Sequence, residues 1–174
     1  MKVDFIESWG SDLSVVNAAR VSFDKHSDEL LPKDEKLIHY LAKNKHTSCF
    51  EHMGATLKLK VPIFIARQIQ RHRTFSYNEV SRRYVDTPPE FFWPDKWRKR
   101  ADNVKQGSSD EDLTNTYIQG GAYTVNEAAL GALNQARRAY QELLDNNVAP
   151  ELARMILPQN LYTEMYMSGK MLPR

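Results

Sequence analysis

The sequence predicts an α+β fold in a single domain over residues 1–174, with a mixed or antiparallel sheet packed against helices. Segments with helical apolar spacing outnumber segments with strand character, and the strand segments lie far apart along the chain. A chain of this length can bury one sizeable core, and its 41% hydrophobic and 26% charged residues are ordinary for a globular protein.

The first part of the chain predicts one strand followed by two helices. Residues 1–7 (MKVDFIE) alternate as a strand does, and Ser11 or Asp12 then offers an N-cap for a helix within 10–23. A proline and an acidic first turn open a second helical segment, 32–46.

The middle of the chain predicts a strand and a helix. Residues 52–61 (HMGATLKLKV) place apolar side chains at every second position, which is typical of a strand. Residues 63–73 (IFIARQIQRHR) follow Pro62 with helical spacing, which puts Arg67 and Arg71 on one helical face at i, i+4.

The second half begins with an irregular segment and then returns to regular structure. Residues of about 85–115 are rich in proline, aromatic groups and mixed charge, so we expect a long irregular excursion there. The longest helical pattern covers 123–148 and closes at Asn146 and Asn147. A short helix opens at Pro150, and residues 161–167 (LYTEMYM) predict a last strand.

The charge balance and the cysteine content limit the class of protein. A formal net charge of +2 does not favour general nucleic-acid binding, although clustered cations can still form an anion site. The single Cys49 excludes an intrachain disulfide and suits a reducing cytosol. No apolar run is long enough to span a membrane, no secretory signal is recognisable, and no Cys/His spacing suits zinc. We therefore expect a cytoplasmic protein with no metal, membrane or nucleic-acid partner.

One stretch, residues 71–84 (RHRTFSYNEVSRRY), concentrates four arginines, a histidine and several neutral hydrogen-bonding groups around a single carboxylate, Glu79. Guanidinium groups bind phosphate bidentately, so this inventory suits a ligand with phosphates and a polar heterocycle, such as a nucleotide. The aromatic residues Phe75, Tyr77 and Tyr84 would stack on a ring or pack inside.

Two other interpretations of this stretch stay open. It could be a solvated charged face in which Arg67 or Arg71 pairs with Glu79, or a groove for single-stranded nucleic acid.

The stretch also contains Arg-His-Arg followed, after seven residues, by Ser81. This motif resembles the signature of the flavin-dependent thymidylate synthases. Five segments resemble that family in order and spacing: NAARVSFDK (17–25), HTSCFEH (46–52), VPIFIARQ (61–68), SYNEVSRRY (76–84) and ELARMILPQNLYTE (151–164). Five ordered matches are far more specific than one short motif.

The resemblance implies an enzyme that methylates dUMP to dTMP. Methylenetetrahydrofolate would donate the carbon, and FAD, reduced by NADPH, would supply the hydride. The implied fold is a central α/β domain in a homotetramer with active sites where subunits meet. The implied location is the cytoplasm of a bacterium or of a virus-infected cell.

The resemblance also assigns residues by position. The implied FAD contacts are Ser22, His46, Ser48, Arg71, His72, Arg73 and Glu79. The implied dUMP contacts are Gln68, Glu79, Ser81, Arg82, Arg83 and Arg154.

Among these, the implied catalytic residues are Ser81, Arg83 and Arg154. Ser81 would position the substrate rather than attack it, and the arginines would stabilise negative charge that develops on the uracil. The family usually has a small residue in place of Arg82, so this contact is expected through the backbone. Cys49 does not resemble the cysteine nucleophile of the folate-only synthases, and we expect a small buried residue there.

Three of these assignments have structural alternatives. Ser22 could cap a helix, His46 could complement the C-terminus of its helix, and Arg154 could form a weak exposed pair with Glu151.

The end of the chain departs from the family's pattern. Lys170 stands where the family has an asparagine, and the closing residues GKMLPR do not resemble the helical region that follows in the family. Arg174 therefore does not take the role of the family's later arginine, and the C-terminal part of the family fold is expected to be absent. The alternative function is that of a shortened, inactive homologue that retains only FAD or nucleotide binding.

Overall fold

The computed structural model describes residues 1–85, 87–102 and 105–171. The chain forms two compact units, which we call the first unit (Met1–Val80 and Thr163–Arg174) and the second unit (Ser81–Tyr162). The expectation of a single domain over residues 1–174 stays a prediction. Within the described ranges, no helix is both long and apolar enough to cross a membrane.

Eight strands and five α-helices are assigned in the described residues. The strands are β1 (Lys2–Trp9), β2 (Gly54–Pro62), β3 (Phe75–Glu79), β4 (Arg98–Arg100), β5 (Ser108–Asp112), β6 (Tyr117–Ile118), β7 (Tyr123–Thr124) and β8 (Tyr162–Lys170). The helices are α1 (Asp12–Arg20), α2 (Pro32–Lys43), α3 (Ile63–Ile69), α4 (Val125–Asp145) and α5 (Pro150–Ala153). Short 3-10 turns cover Val21–Phe23, Thr47–His52, Gln119–Gly121 and Arg154–Ile156.

The first unit is built on a four-stranded sheet in the order β1-β2-β8-β3. β1 pairs antiparallel with β2, with Val3 opposite Leu59, and β3 pairs antiparallel with β8, with Tyr77 opposite Met167. The α+β prediction, with a sheet packed against helices, is therefore confirmed.

Two apolar clusters form the core of the first unit. In one, α1, α2 and the turn Thr47–His52 bury four side chains: Val15, Leu41, Cys49 and Phe50. In the other, the sheet and α3 bury four more: Leu59, Val61, Ala66 and Met165. Cys49 is thus a buried core residue, as expected.

The ends of α1 and α2 follow local sequence chemistry. Ser11 precedes α1, and its backbone N–H donates to the Ser14 hydroxyl at 3.0 Å. α2 ends in a Schellman motif, because the N–H of Lys45, at φ 58°, donates to Ala42 O and the N–H of His46 donates to Leu41 O.

The predicted helix 63–73 is too long, because α3 ends at Ile69. β3 begins at Phe75 to pair with β8, so the chain must turn over Arg71–Arg73. Arg71 therefore does not share a helical face with Arg67. The pairing partner lies far along the sequence, and the local pattern does not reveal it.

The second unit is organised by α4. The Thr124 hydroxyl accepts the Glu127 N–H and the Glu127 carboxylate accepts the Thr124 N–H, which form a capping box. Leu133 and Tyr140 are buried on the apolar stripe, and Asn147, at φ 59°, lies just beyond the C-terminus.

The excursion predicted as irregular over about 85–115 contains an antiparallel pair, β4–β5. Arg98 lies opposite Asp112, and Lys99 pairs with Glu111 at 2.9 Å. Opposite charges across the strands favour the pairing, and neither strand has the apolar alternation that predicts a strand from sequence.

Candidate functional site

The Arg71–Arg73 turn connects α3 to β3 in the first unit. Its backbone is ordered by hydrogen bonds from the Arg71 N–H to Gln68 O (3.3 Å) and from the His72 N–H to Ile69 O (3.0 Å). The side chains of Arg71, His72 and Arg73 are exposed and have no hydrogen-bond or ion-pair partner among the residues that the structure describes. The turn thus presents two guanidinium groups and one imidazole to solvent.

The Tyr77 side chain contacts this turn on the side that faces the protein. Its hydroxyl lies 2.8 Å from Ile69 O and 3.1 Å from His72 O, and its single O–H is shared between these two carbonyls. Burial raises the pKa of Tyr77 above its usual range, so the phenol stays a neutral donor at physiological pH. Sequence analysis left Tyr77 as a stacking or packing residue and missed this contact.

Phe75 anchors the other end of the turn. It lies opposite Gly169 on β8, and a Cβ at position 169 would fall 2.0 Å from Phe75 Cδ1. The glycine therefore lets the phenylalanine ring lie directly on the sheet. Of the three aromatic residues of this stretch, Phe75 and Tyr77 are half-buried and Tyr84 is 77% exposed.

Glu79, at the end of β3, is held by two neutral donors. The Thr163 hydroxyl donates to Glu79 Oε1 at 2.7 Å, and Gln70 Nε2 donates to Oε2 at 3.1 Å. The alternative pairing with Arg67 or Arg71 is not found in the described ranges. Thr163 and Gln70 were missed by sequence analysis, although Thr163 lies inside the ELARMILPQNLYTE match.

Ser22 lies in the turn Val21–Phe23, which follows α1 directly. Its side chain is exposed, and its hydroxyl caps no helix and bonds to none of the described residues. Arg20, the last residue of α1, donates to the Ser27 hydroxyl and to Asp34 Oδ1 (2.5 Å). These two bonds connect the segment after α1 to α2.

His46 and Ser48 lie where α2 gives way to the turn Thr47–His52. The His46 backbone N–H completes the C-terminus of α2, and its ring stacks on Tyr40 with centroids 6.3 Å apart. Ser48 is exposed, directly before the buried pair Cys49 and Phe50. The buried pair fixes the turn and leaves the imidazole and the hydroxyl accessible.

The second unit holds four of the predicted substrate residues. Ser81 Oγ lies 3.3 Å from both the backbone N and Nε of Arg83 and accepts from them. The Arg82 guanidinium donates to Thr87 O at 2.7 Å. Arg154 Nε donates to the backbone carbonyl of Glu151 at 3.4 Å, so the alternative of an Arg154–Glu151 pair takes the form of a backbone contact.

The predicted sets therefore divide between the units in different ways. All seven cofactor candidates lie exposed in the first unit: Ser22, His46, Ser48, Arg71, His72, Arg73 and Glu79. Gln68 joins them as an exposed residue of α3, whereas Ser81, Arg82, Arg83 and Arg154 belong to the second unit.

Lys170, the residue that departs from the family's asparagine, forms an ion pair with Glu51 at 2.5 Å. Lys170 lowers the pKa of Glu51 through their hydrogen bond and its charge. Arg174 lies outside the described residues. No group of three or more histidine, cysteine, aspartate or glutamate side chains suited to a metal ion is found in the part of the chain that the structure describes.

Residues 4–172 match a family model described as thymidylate synthase complementing protein. The chain is 41% identical over 168 residues to a flavin-dependent thymidylate synthase of Thermus thermophilus, covering 94% of this chain and 57% of that protein. It is 38% identical over 165 residues to a flavin-dependent thymidylate synthase of Thermotoga neapolitana, covering 94% of this chain and 68% of that protein. The chain thus spans less than two thirds of the Thermus protein's length.

A solved structure, the UMP/dUMP methylase PolB from Streptomyces cacaoi bound with 5-Br dUMP, superposes with a TM-score of 0.76. The two sequences are 34% identical, and the match covers 97% of this chain and 73% of that one.

Proposed function

Because the chain belongs to the flavin-dependent thymidylate synthase family, we propose that it methylates dUMP to dTMP. In this proposal methylenetetrahydrofolate donates the carbon, FAD is the cofactor and NADPH is the reductant. The observation that carries it is the Arg71–Arg73 turn, whose three exposed side chains lack partners among the described residues. An anionic ligand would supply those partners.

The chemistry of the first unit fits FAD. The Arg71 and Arg73 guanidinium groups match a pyrophosphate in charge and geometry, because they offer paired donors to phosphate oxygens. Ser22 and Ser48 add exposed hydroxyls, and His46 adds an imidazole, which suit the polar sugar and ring atoms of a dinucleotide. When bound, FAD would supply the hydride chemistry that amino-acid side chains lack.

The dUMP contacts in this proposal are those that the family resemblance implies: Gln68, Glu79, Ser81, Arg82, Arg83 and Arg154. The solved relative bound with 5-Br dUMP supports a uridine nucleotide as the substrate class. Because the Arg82 guanidinium already donates to Thr87 O, its contact with substrate would use the backbone N–H. This agrees with the small residue that the family usually has at that position.

The catalytic residues in this proposal are Ser81, Arg83 and Arg154. Ser81 is a positioning hydroxyl, because its Oγ accepts from Arg83 and no histidine donates to or accepts from it in the described ranges. Arg83 and Arg154 have exposed guanidinium groups that would bind the phosphate and stabilise negative charge on the uracil. Positioning and electrostatics then carry the reaction without a strong acid or base.

We further propose a homotetramer with active sites where subunits meet. Exposed apolar side chains on the edge strand β1 support a subunit contact, because Val3 is 63% and Phe5 is 65% exposed. The single cysteine fits the cytoplasm of a bacterium or of a virus-infected cell.

The experiment is the conversion of dUMP to dTMP by the full chain with methylenetetrahydrofolate, NADPH and FAD. Formation of dTMP only when dUMP, methylenetetrahydrofolate, NADPH and FAD are all present supports the proposal. Arg73→Ala should abolish FAD-dependent turnover, whereas Arg100→Ala, which removes an exposed arginine from β4, should not. FAD binding without dTMP formation would contradict the proposed activity.

A further inference from the structure

Tyr77 joins the core of the first unit to the turn that carries the Arg-His-Arg triplet. Its ring packs against the apolar cluster of Leu59, Val61, Ala66 and Met165, and its hydroxyl reaches the carbonyls of Ile69 and His72. Each of those carbonyls already accepts a backbone N–H, from His72 (3.0 Å) and Phe75 (3.3 Å) respectively. The Tyr77 hydroxyl therefore contacts both carbonyls that accept the backbone hydrogen bonds of the turn.

The location of Tyr77 on β3 directs its ring toward the protein interior. Side chains alternate across a strand, and Phe75 and Tyr77 are half-buried while Ser76 and Asn78 are exposed. Tyr77 therefore supports the turn on the side that faces the protein. The side chains of Arg71, His72 and Arg73 lie on the side that faces solvent.

We propose that Tyr77 is a positioning residue that holds the Arg71–Arg73 turn in the shape that receives the pyrophosphate of FAD. This inference rests on the proposed function, because it assigns the turn to that cofactor. It adds a residue at one of the seven unspecified positions of the motif, outside the implied contacts.

Preorganisation is the physical reason for this role. Three adjacent cationic or titratable side chains repel one another when charged, and a free turn would have to lose conformational entropy when it binds an anion. A turn that is already ordered in the free protein loses less conformational entropy when the ligand binds, which raises affinity.

Tyr77→Phe isolates this role from packing. The substitution removes one oxygen and keeps the ring in the core, and each carbonyl keeps its backbone donor. Tyr123→Phe is the matched control, because it removes the same oxygen from a 51% exposed tyrosine whose hydroxyl bonds to none of the described residues.

Two readouts test the inference, both measured well below the thermal midpoint of each variant. The first is the Kd for FAD, from the change in flavin fluorescence on titration with protein. We expect Tyr77→Phe to raise this Kd roughly three- to tenfold, the effect of about one lost hydrogen bond. The second is the rate of trypsin cleavage after Arg71 and Arg73 in the FAD-free protein, which should rise in Tyr77→Phe and stay unchanged in Tyr123→Phe.

The outcomes separate the two proposals. If the parent binds FAD and Arg73→Ala weakens it, but Tyr77→Phe matches the parent in Kd and in cleavage rate, the positioning role is wrong and the function stands. If Tyr77→Phe weakens dUMP binding as much as FAD binding, the effect is general and the inference is overturned. If the parent binds no FAD, both proposals are overturned.

Discussion

The buried Thr163 hydroxyl donates a 2.7 Å hydrogen bond to Glu79 Oε1 and so links β8 to the end of the Arg-His-Arg-x7-Ser segment. Gln70 holds the other carboxylate oxygen, so both Glu79 oxygens are oriented by neutral donors. A carboxylate held in this way can accept from a ligand without first being drawn to a neighbouring arginine. The proposed FAD and dUMP contacts of Glu79 depend on this orientation.

Thr163→Val should weaken FAD binding about three- to tenfold, because the isosteric side chain removes the donor to Glu79 and little else. Thr56→Val is the matched control, since Thr56 is equally buried and its hydroxyl bonds to the Ser168 hydroxyl at 2.9 Å. Each variant should lose about 0.5–1.5 kcal/mol of unfolding free energy. Equal FAD affinity in the two variants would refute the role of Thr163, and titration of FAD fluorescence measures it.

Ser81→Ala should raise the Kd for dUMP about fivefold and leave the Kd for FAD unchanged, because one hydrogen bond to substrate is lost. Ser109→Ala removes a hydroxyl that makes only a 3.4 Å contact with the Lys99 carbonyl and should change neither constant. Isothermal titration with dUMP and with FAD distinguishes the two ligands. A Ser81→Ala variant that binds dUMP like the parent would contradict the assignment.

Gly169→Ala should destabilise the first unit by about 1–3 kcal/mol, because the new methyl group overlaps the Phe75 ring and forces it to move. Gly131→Ala, inside α4, meets nothing within 4 Å and should stabilise the protein by about 0.5–1 kcal/mol. Urea denaturation compares the two variants with the parent. Similar effects of both substitutions would show that the ring does not lie on Gly169.

The stability of the protein should depend on pH through Asp34. The Leu31 backbone N–H lowers the pKa of Asp34 most, and the Arg20 side chain lowers it further, against the opposing effect of burial. A carboxyl whose pKa is lower in the folded state stabilises the fold fully above its ordinary pKa of 3.8, and this contribution is lost as the pH falls through the lower folded value.

Asp34→Asn should therefore lower the thermal midpoint at neutral pH. The difference in midpoint between variant and parent should become smaller as the solution is acidified below about pH 4. Asp28→Asn is the control, because Asp28 is 99% exposed. Thermal unfolding by circular dichroism at a series of pH values gives the comparison. A gap that stays constant down to the acid limit would contradict the role of the ionised carboxylate.

The elements that sequence reasoning located are those whose signals are local. The capping box of Thr124 and Glu127 and the left-handed Asn147 lie within a few residues of the helix that they bound, so α4 could be predicted with its ends. Ser11 marks α1 in the same way. The resemblance to the family named the candidate site residues by position, and the structure adds how exposed each of their side chains is.

The misplaced elements depend on partners far along the chain. The end of α3 is set by the pairing of β3 with β8, about ninety residues away, and the local residues alone are compatible with a longer helix. The contacts of Tyr77 with Ile69 and of Thr163 with Glu79 follow from that pairing. Neither contact has a signature in the spacing of its own segment.

A visible absorption spectrum shows whether this chain holds FAD through the Arg71–Arg73 turn, as we propose. The full chain and its Arg73→Ala variant are incubated with FAD, and unbound FAD is removed by gel filtration. We expect a retained flavin spectrum in the parent and a strongly reduced one in Arg73→Ala. A parent chain that emerges colourless, or an Arg73→Ala variant that retains as much flavin as the parent, would contradict it.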